Sequence, residues 1–215
     1  MGTSTFAAWD FNRRETKEVV RRAERQEGSG CLRNERGGRR TKVKRTLCLG
    51  LLIVALMGVA VLGTGPTPIG PVALTMSGTI ALHNDIDIMK GAGVFRFDLD
   101  MVKALPYLAY TVTDPWMGEK LYGGVLLSDL LKYVGIPADA KRVVIIASDA
   151  KEFVIQIKDA FDYPILIAYS ANDKAIKASS GGPLKLVFPY QIAGVEQLYA
   201  PEQWSWYVIG IRVEY

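Results

Sequence analysis

Apolar positions recur with two different periods along the C-terminal two thirds of the chain. Val72, Leu74 and Met76 alternate with small or polar residues ahead of Gly78, and Ile80 and Leu82 continue the period of two beyond it. That alternation predicts a half-buried first strand, bulged at the glycine. Val94, Phe95 and Phe97 predict a second short strand, after which Asp98 can cap a helix running through Leu105 until Pro106 ends it. Gly123-Gly124 then turns the chain into a helix whose Leu127, Leu130, Leu131 and Val134 follow the i, i+3, i+4, i+7 rule, with Gly135 and Pro137 as its stop. The β-branched and aliphatic runs Val143 to Ala147, Phe153 to Ile157 and Ile165 to Tyr169 predict strands, as do Leu184 to Phe188 and, after further turns, Trp206 to Val213. Strands outnumber helices without a regular βαβ alternation, so the expected class is α+β.

A different pattern precedes this domain. Leu47 to Gly63 reads LCLGLLIVALMGVAVLG, seventeen residues without a charge, at the lower limit of what crosses a hydrocarbon core about 30 Å thick. It is apolar on every face and follows Arg39, Arg40, Lys42, Lys44 and Arg45, which the positive-inside rule keeps in the cytoplasm. The expected organisation is a basic, largely disordered cytoplasmic tail over residues 1–45 and a single transmembrane anchor over 46–63. A Gly/Pro linker over 64–71 and an extracytoplasmic domain over 72–215 complete it. A cleaved signal peptide is the competing reading of the apolar run, and the long preceding tail argues against it.

Charge changes the picture by where it sits. Residues 1–45 hold 13 Lys/Arg against 6 Asp/Glu, and the remainder 13 against 16. The net charge of +4 and the pI near 9.0 therefore come from the tail. The main domain is mildly acidic with no basic stripe, which excludes nucleic acid as its partner. Both cysteines, Cys31 and Cys48, precede that domain, leaving it without a thiol for a disulfide, zinc or nucleophilic chemistry.

His83 is the sole histidine in the chain, so no catalytic triad can be assembled. Asp85 and Asp87 lack the spaced oxygens and glycine of a calcium loop and read as solvated acids. The small-residue loop Ala178 to Pro183 offers backbone N–H groups and the hydroxyls of Ser179 and Ser180 to an anion, with a plain tight turn as the alternative. Lys185 would add positive charge if it faces the same mouth. Trp116, Tyr122, Tyr169, Tyr190, Trp204 and Trp206 stand at strand ends or in flanking loops, where aromatic rings can stack on a flat ligand or pack the core. Trp206 reads as core, and Trp116 as either core or a ligand contact.

The ordered set Gly78-x-Ile80 with Asn84, Leu105-Pro106, Pro115-Trp116, Gly123-Gly124-Val125-x-Leu127-x-Asp129-Leu130-Leu131, Asp149, Ala168-Tyr169, Gly182-Pro183-Leu184-x-Leu186-Val187-x-Pro189 and Trp206 with Ile211-x-Val213 resembles the molybdopterin-binding oxidoreductase domain of the sulfite oxidase fold. The resemblance implies an α+β domain of mixed β-sheets with short helices. It also implies a cysteine thiolate on molybdenum before the Gly-Gly-Val-x-Leu segment, where this chain has Thr111-Val112-Thr113-Asp114. Hydroxyl and carboxylate oxygens are poor substitutes for a soft thiolate. Ser179, Ser180 and Lys185 stand near the places of the arginines that clamp the cofactor phosphate. The chain is more similar to a small exported subset of the family that binds reduced pterins and partners membrane signalling proteins. By that resemblance the cofactor is a pterin or molybdopterin, molybdenum is left without its usual ligand, and the binding residues are Trp116, Tyr122, Asp149, Tyr169, Ser179, Ser180, Lys185 and Tyr190. Asp149 would pair with the amino and ring N–H groups of the pterin.

Three readings stay open at this level. The first is a membrane-anchored pterin-binding module that reports to a membrane partner. The second is a molybdopterin-dependent oxidoreductase with a non-cysteine metal ligand, passing electrons to a membrane or haem partner. The third is an interaction scaffold with no ligand.

Overall fold

In the strand that opens the domain, β1 (Val72–Gly78), Leu74 and Met76 are fully buried while their neighbours are not, which is the alternation the sequence predicts. The computed structural model describes residues 65–215; the predicted tail and the apolar run over 46–63 lie outside the described residues. Among the described residues no helix is long and apolar enough to cross a membrane.

β1 is followed by β2 (Asp85–Asp87), β3 (Ala92–Asp98), α1 (Leu99–Lys103), β4 (Tyr107–Asp114), β5 (Gly118–Leu126) and α2 (Leu127–Val134). Next come β6 (Arg142–Ala147), β7 (Glu152–Gln156), α3 (Ile157–Asp162), β8 (Leu166–Ala171), β9 (Lys174–Ala175), β10 (Lys185–Val187), α4 (Val195–Leu198) and β11 (Val208–Glu214). They form two sheets. One has six strands in the order β2-β3-β1-β11-β6-β7, and the other has β10-β8-β5-β4 with β9 paired to β8. β1 and β11 are parallel, with Thr75 opposite Gly210, and their other neighbours are antiparallel. The class is α+β with mixed sheets, as predicted.

The six-stranded sheet packs Leu74, Met76, Phe95, Phe97, Ile145, Ile155 and Ile211, all at most 1% exposed. On α2, Leu127, Leu130, Leu131 and Val134 are completely buried, so the periodicity identified the inward face correctly. Asp98 caps α1 as expected, its Oδ1 accepting from the Met101 N–H at 2.8 Å. Its Oδ2 accepts from the N–H groups of Ile69 and Gly70 at 2.8 and 2.9 Å. The segment predicted as a Gly/Pro linker over 64–71 is thus hydrogen-bonded to the fold at Gly65, Ile69 and Gly70.

Several expectations need correction. β1 ends at Gly78 instead of continuing to Leu82, because Gly78 has φ +84° and an added Cβ there would lie 2.1 Å from the Val213 carbonyl oxygen. Gly123-Gly124 does not turn the chain into the helix. Both glycines lie inside β5, where side chains would collide with the Tyr107 hydroxyl at 2.0 Å and the Ile167 carbonyl oxygen at 2.2 Å. They permit close approach of neighbouring elements rather than a turn. The last strand begins at Val208, so Trp206 precedes it and does not open it.

Candidate functional site

The β4–β5 connection is shaped by one carboxylate. Asp114, 1% exposed, accepts through Oδ1 from the N–H groups of Trp116 at 2.9 Å and Met117 at 3.0 Å, the bonding of an Asx turn. This holds Trp116 outward. The Oδ2 atom accepts from the Tyr122 hydroxyl at 2.6 Å and from Lys185 Nζ. Lys185 is wholly buried, and its ammonium also donates to the Tyr122 hydroxyl at 3.0 Å. The same Nζ lies 5.0, 5.6 and 4.9 Å from the ring centroids of Tyr122, Trp204 and Trp206, within cation–π range of each. Burial pushes the Asp114 carboxyl up, but hydrogen bonds from Lys185, Tyr122 and Trp116 outweigh it and hold its pKa below the ordinary carboxylate range. Burial, reinforced by the adjacent Asp114 carboxylate, drives the Tyr122 phenol strongly up, so it remains a neutral donor.

Above this cluster opens a cleft of about 740 Å³ lined by Trp116, Asp149, Phe153, Trp204, Trp206 and Tyr207 among others, within the size range of small-molecule sites. It sits where the segment 204–207 bridges the two sheets. Leu186 N–H donates to the Ser205 carbonyl at 2.9 Å, and Val208 N–H to that of Leu184 at 3.0 Å. The Trp116 and Trp206 rings stand perpendicular, 6.5 Å apart. Behind Trp206 lies Gly181, where an added Cβ would meet the indole at 3.0 Å. Tyr207 has φ +53°, unusual for an aromatic residue, and is fixed there by its N–H donating to Gly181 O at 2.7 Å and its carbonyl accepting from Ser148 N–H at 3.0 Å. Ala150, in the β6–β7 turn at the cleft, also has a positive φ of 64°. Backbone strain of this kind concentrates at ligand sites.

Asp149 stands exposed on the rim, paired at 3.0 Å with the exposed Lys151. The Lys151 hydrogen bonds and charge hold the Asp149 carboxyl below its usual pKa. An ion pair this exposed contributes little energy, so a ligand can compete for the carboxylate.

Of the residues singled out from sequence, the structure brings Trp116 and Asp149 to the cleft. Tyr122 and Lys185 lie beneath it, engaged with Asp114 instead of facing the mouth. Ser179 and Ser180 belong to a 3-10 turn, Ala178–Ser180, and line no part of the cleft. The Ser180, Gly181 and Gly182 N–H groups are used within that turn, donating to the carbonyls of Lys177 and Ala178. The tight turn, not an anion cradle, describes this loop. Tyr169 packs against Tyr107 at 6.0 Å, away from the cleft. Tyr190 donates to the Tyr199 carbonyl at 2.5 Å and meets Trp204 edge-on at 5.0 Å. The structure adds Trp206, Tyr207, Phe153 and Asp114. Of these, the sequence points to Trp206, as core, and to Asp114, in the stretch that stands where the metal ligand would be, while Phe153 reads only as a strand residue and Tyr207 carries no signal.

These features allow a test of fit for a bound group. A flat heterocycle fits, since the cleft offers one indole for a face, a second standing perpendicular to meet an edge, and a carboxylate for its N–H groups. Molybdenum does not fit. The described residues include no cysteine and no group of three or more His, Cys, Asp or Glu able to hold a metal ion. Thr111 and Thr113 are exposed, and Asp114 already accepts four hydrogen bonds, the full acceptor capacity of a carboxylate.

Comparison with known proteins defines the class of domain. Residues 100–197 match the family model described as oxidoreductase molybdopterin binding domain. Over those residues the match agrees with the resemblance read from the motifs, a molybdopterin-binding domain. Among solved structures it is similar to the sulfane dehydrogenase SoxCD from Paracoccus pantotrophus, with a TM-score of 0.51 and 16% identity over 66% of this chain. The match covers 37% of that chain, and at this identity it establishes the fold alone. No curated protein matches the sequence.

Proposed function

We propose that this domain binds a pterin-type ring in the Trp116–Trp206 cleft without carrying out redox chemistry. The protein is held on the outer face of a membrane by residues 46–63 and reports ligand occupancy to a membrane partner. The observation that carries this reading is the pairing of an aromatic cleft with a saturated Asp114 beneath it. The fold keeps a place for the organic ring while the stretch that would hold the metal is committed to an internal ion pair. One of the Trp116 and Trp206 indoles would stack on a face of the ring and the other would meet its edge, and Asp149 would accept from its amino and ring N–H groups. The cleft holds no unpaired cation for a phosphate, which favours the pterin over the phosphorylated molybdopterin.

Calorimetric titration of the full chain in detergent with a reduced pterin tests this. Native protein should bind, and Asp149→Asn should weaken binding about 10- to 100-fold, as expected for loss of a charged hydrogen bond of about 1.5–3 kcal/mol. Absence of binding, or stoichiometric molybdenum in protein purified from its own host, would overturn the proposal.

A further inference from the structure

The β2–β3 hairpin carries three large, exposed apolar side chains, Ile86 in β2 and Ile88 and Met89 in the turn. Ile86, Ile88 and Met89 are 59%, 91% and 94% exposed, with the exposed Lys90 beside them. The turn is nonetheless well formed. Asp87 accepts from the Met89 N–H through Oδ1 at 3.0 Å, and its carbonyl accepts from the N–H groups of Lys90 and Gly91 at 3.2 and 2.7 Å. Gly91 supplies the positive φ of 61° that closes it. The acids that would oppose an anionic surface are engaged, Asp87 in this way and Asp85 with Arg96 at 2.9 Å. What remains outward is apolar side chains and a cation.

The direction of the chain beside this hairpin matters most. Gly65 N–H donates to the His83 carbonyl at 2.9 Å, and Asn84 Nδ2 to the Pro66 carbonyl at 2.7 Å. Ile69 and Gly70 reach Asp98 at the far end of β3. Residues 65–70 therefore run alongside β3 in its own direction, away from the turn, so the chain enters the fold from the side of the turn. One residue, Thr64, separates Gly65 from the end of the seventeen-residue apolar run. A link of one residue would hold the domain beside any bilayer that the apolar run enters. From Asn84 to Ile88 is four residues, or about 13 Å of strand.

We propose that the β2–β3 turn is a second membrane contact, seating Ile86, Ile88 and Met89 in the headgroup boundary with Lys90 against anionic lipid. This rests on the reading of residues 46–63 as a membrane anchor. Tethering beside the bilayer makes the contact intramolecular in effect, so a small apolar tip suffices. The contact would fix the orientation of the domain relative to the membrane.

The test uses the full chain with Cys31 and Cys48 replaced by Ser, reconstituted in vesicles of phosphatidylcholine and phosphatidylglycerol. An environment-sensitive fluorophore is attached at Met89→Cys or, as control, at the exposed Glu119→Cys. The label at 89 should show blue-shifted emission and quenching by brominated acyl chains, strongest for bromines about 5–10 Å below the headgroups, and the label at 119 neither. An aqueous spectrum at 89 in protein that resists carbonate extraction overturns the contact and leaves the anchor standing. Release of the chain by carbonate overturns the anchor and the contact with it. A blue shift that follows protein density without lipid quenching marks a protein interface and also overturns the proposal.

Discussion

Asp114 shows how much one side chain can settle. Its four accepted hydrogen bonds aim Trp116 outward, hold the Tyr122 hydroxyl and compensate a fully buried ammonium. Removing one partner of a buried pair leaves an uncompensated charge, whereas replacing both with apolar groups of similar size is often neutral. Lys185→Met should thus destabilise the domain by about 3–5 kcal/mol in urea unfolding. Adding Asp114→Leu should restore most of that, apart from the contribution of the turn that Asp114 organises. At this scale the sequence was partly legible. Trp116 stood beside turn residues, which place side chains at surfaces, Asp149 was pointed to by the family resemblance, and both reach the cleft. Lys185 was misjudged because alternation cannot tell a strand whose two faces are both buried from one with an open face, and Lys185, Leu186 and Val187 are all buried. Tyr207 could not be found, since a left-handed backbone at an aromatic residue has no local sequence cue.

Elements followed the periodicity where one face meets water. β1 and α2 came out with the inward residues expected of them. β4 and β5 were missed because Gly123 and Gly124 read as punctuation, when their role is to let β8 and Tyr107 approach the strand. Gly124→Ala should therefore cost about 1–3 kcal/mol as an overpacking change, seen as a lower midpoint in chemical denaturation. A glycine that merely marked a flexible turn would gain stability from the same substitution. The short α3 and α4 were likewise invisible, being below the length at which helical periodicity can be recognised.

For the whole molecule, acid sensitivity follows from carboxylates held ionised by the fold. Hydrogen bonds from the Gly70 and Met101 N–H groups lower the pKa of Asp98, and Arg212 followed by Arg142 lowers that of Glu214. At Asp114 the same outcome prevails against burial. A depressed folded pKa contributes stability above the unfolded value of about 4 and loses it as pH falls through the folded value. The urea midpoint should be nearly flat between about pH 7 and 5 and fall steeply below about pH 4. A flat profile down to pH 2.5 would contradict these assignments.

The placement of β11 has a consequence for biosynthesis. It lies between β1 and β6, hydrogen-bonded to both, yet it follows the ten other described strands in the chain. Before it is made the strands destined to flank it present bare edges, the state in which chains associate with one another. The six-stranded sheet therefore cannot close during synthesis until β11 has been made, and the edges of β1 and β6 stay open until then.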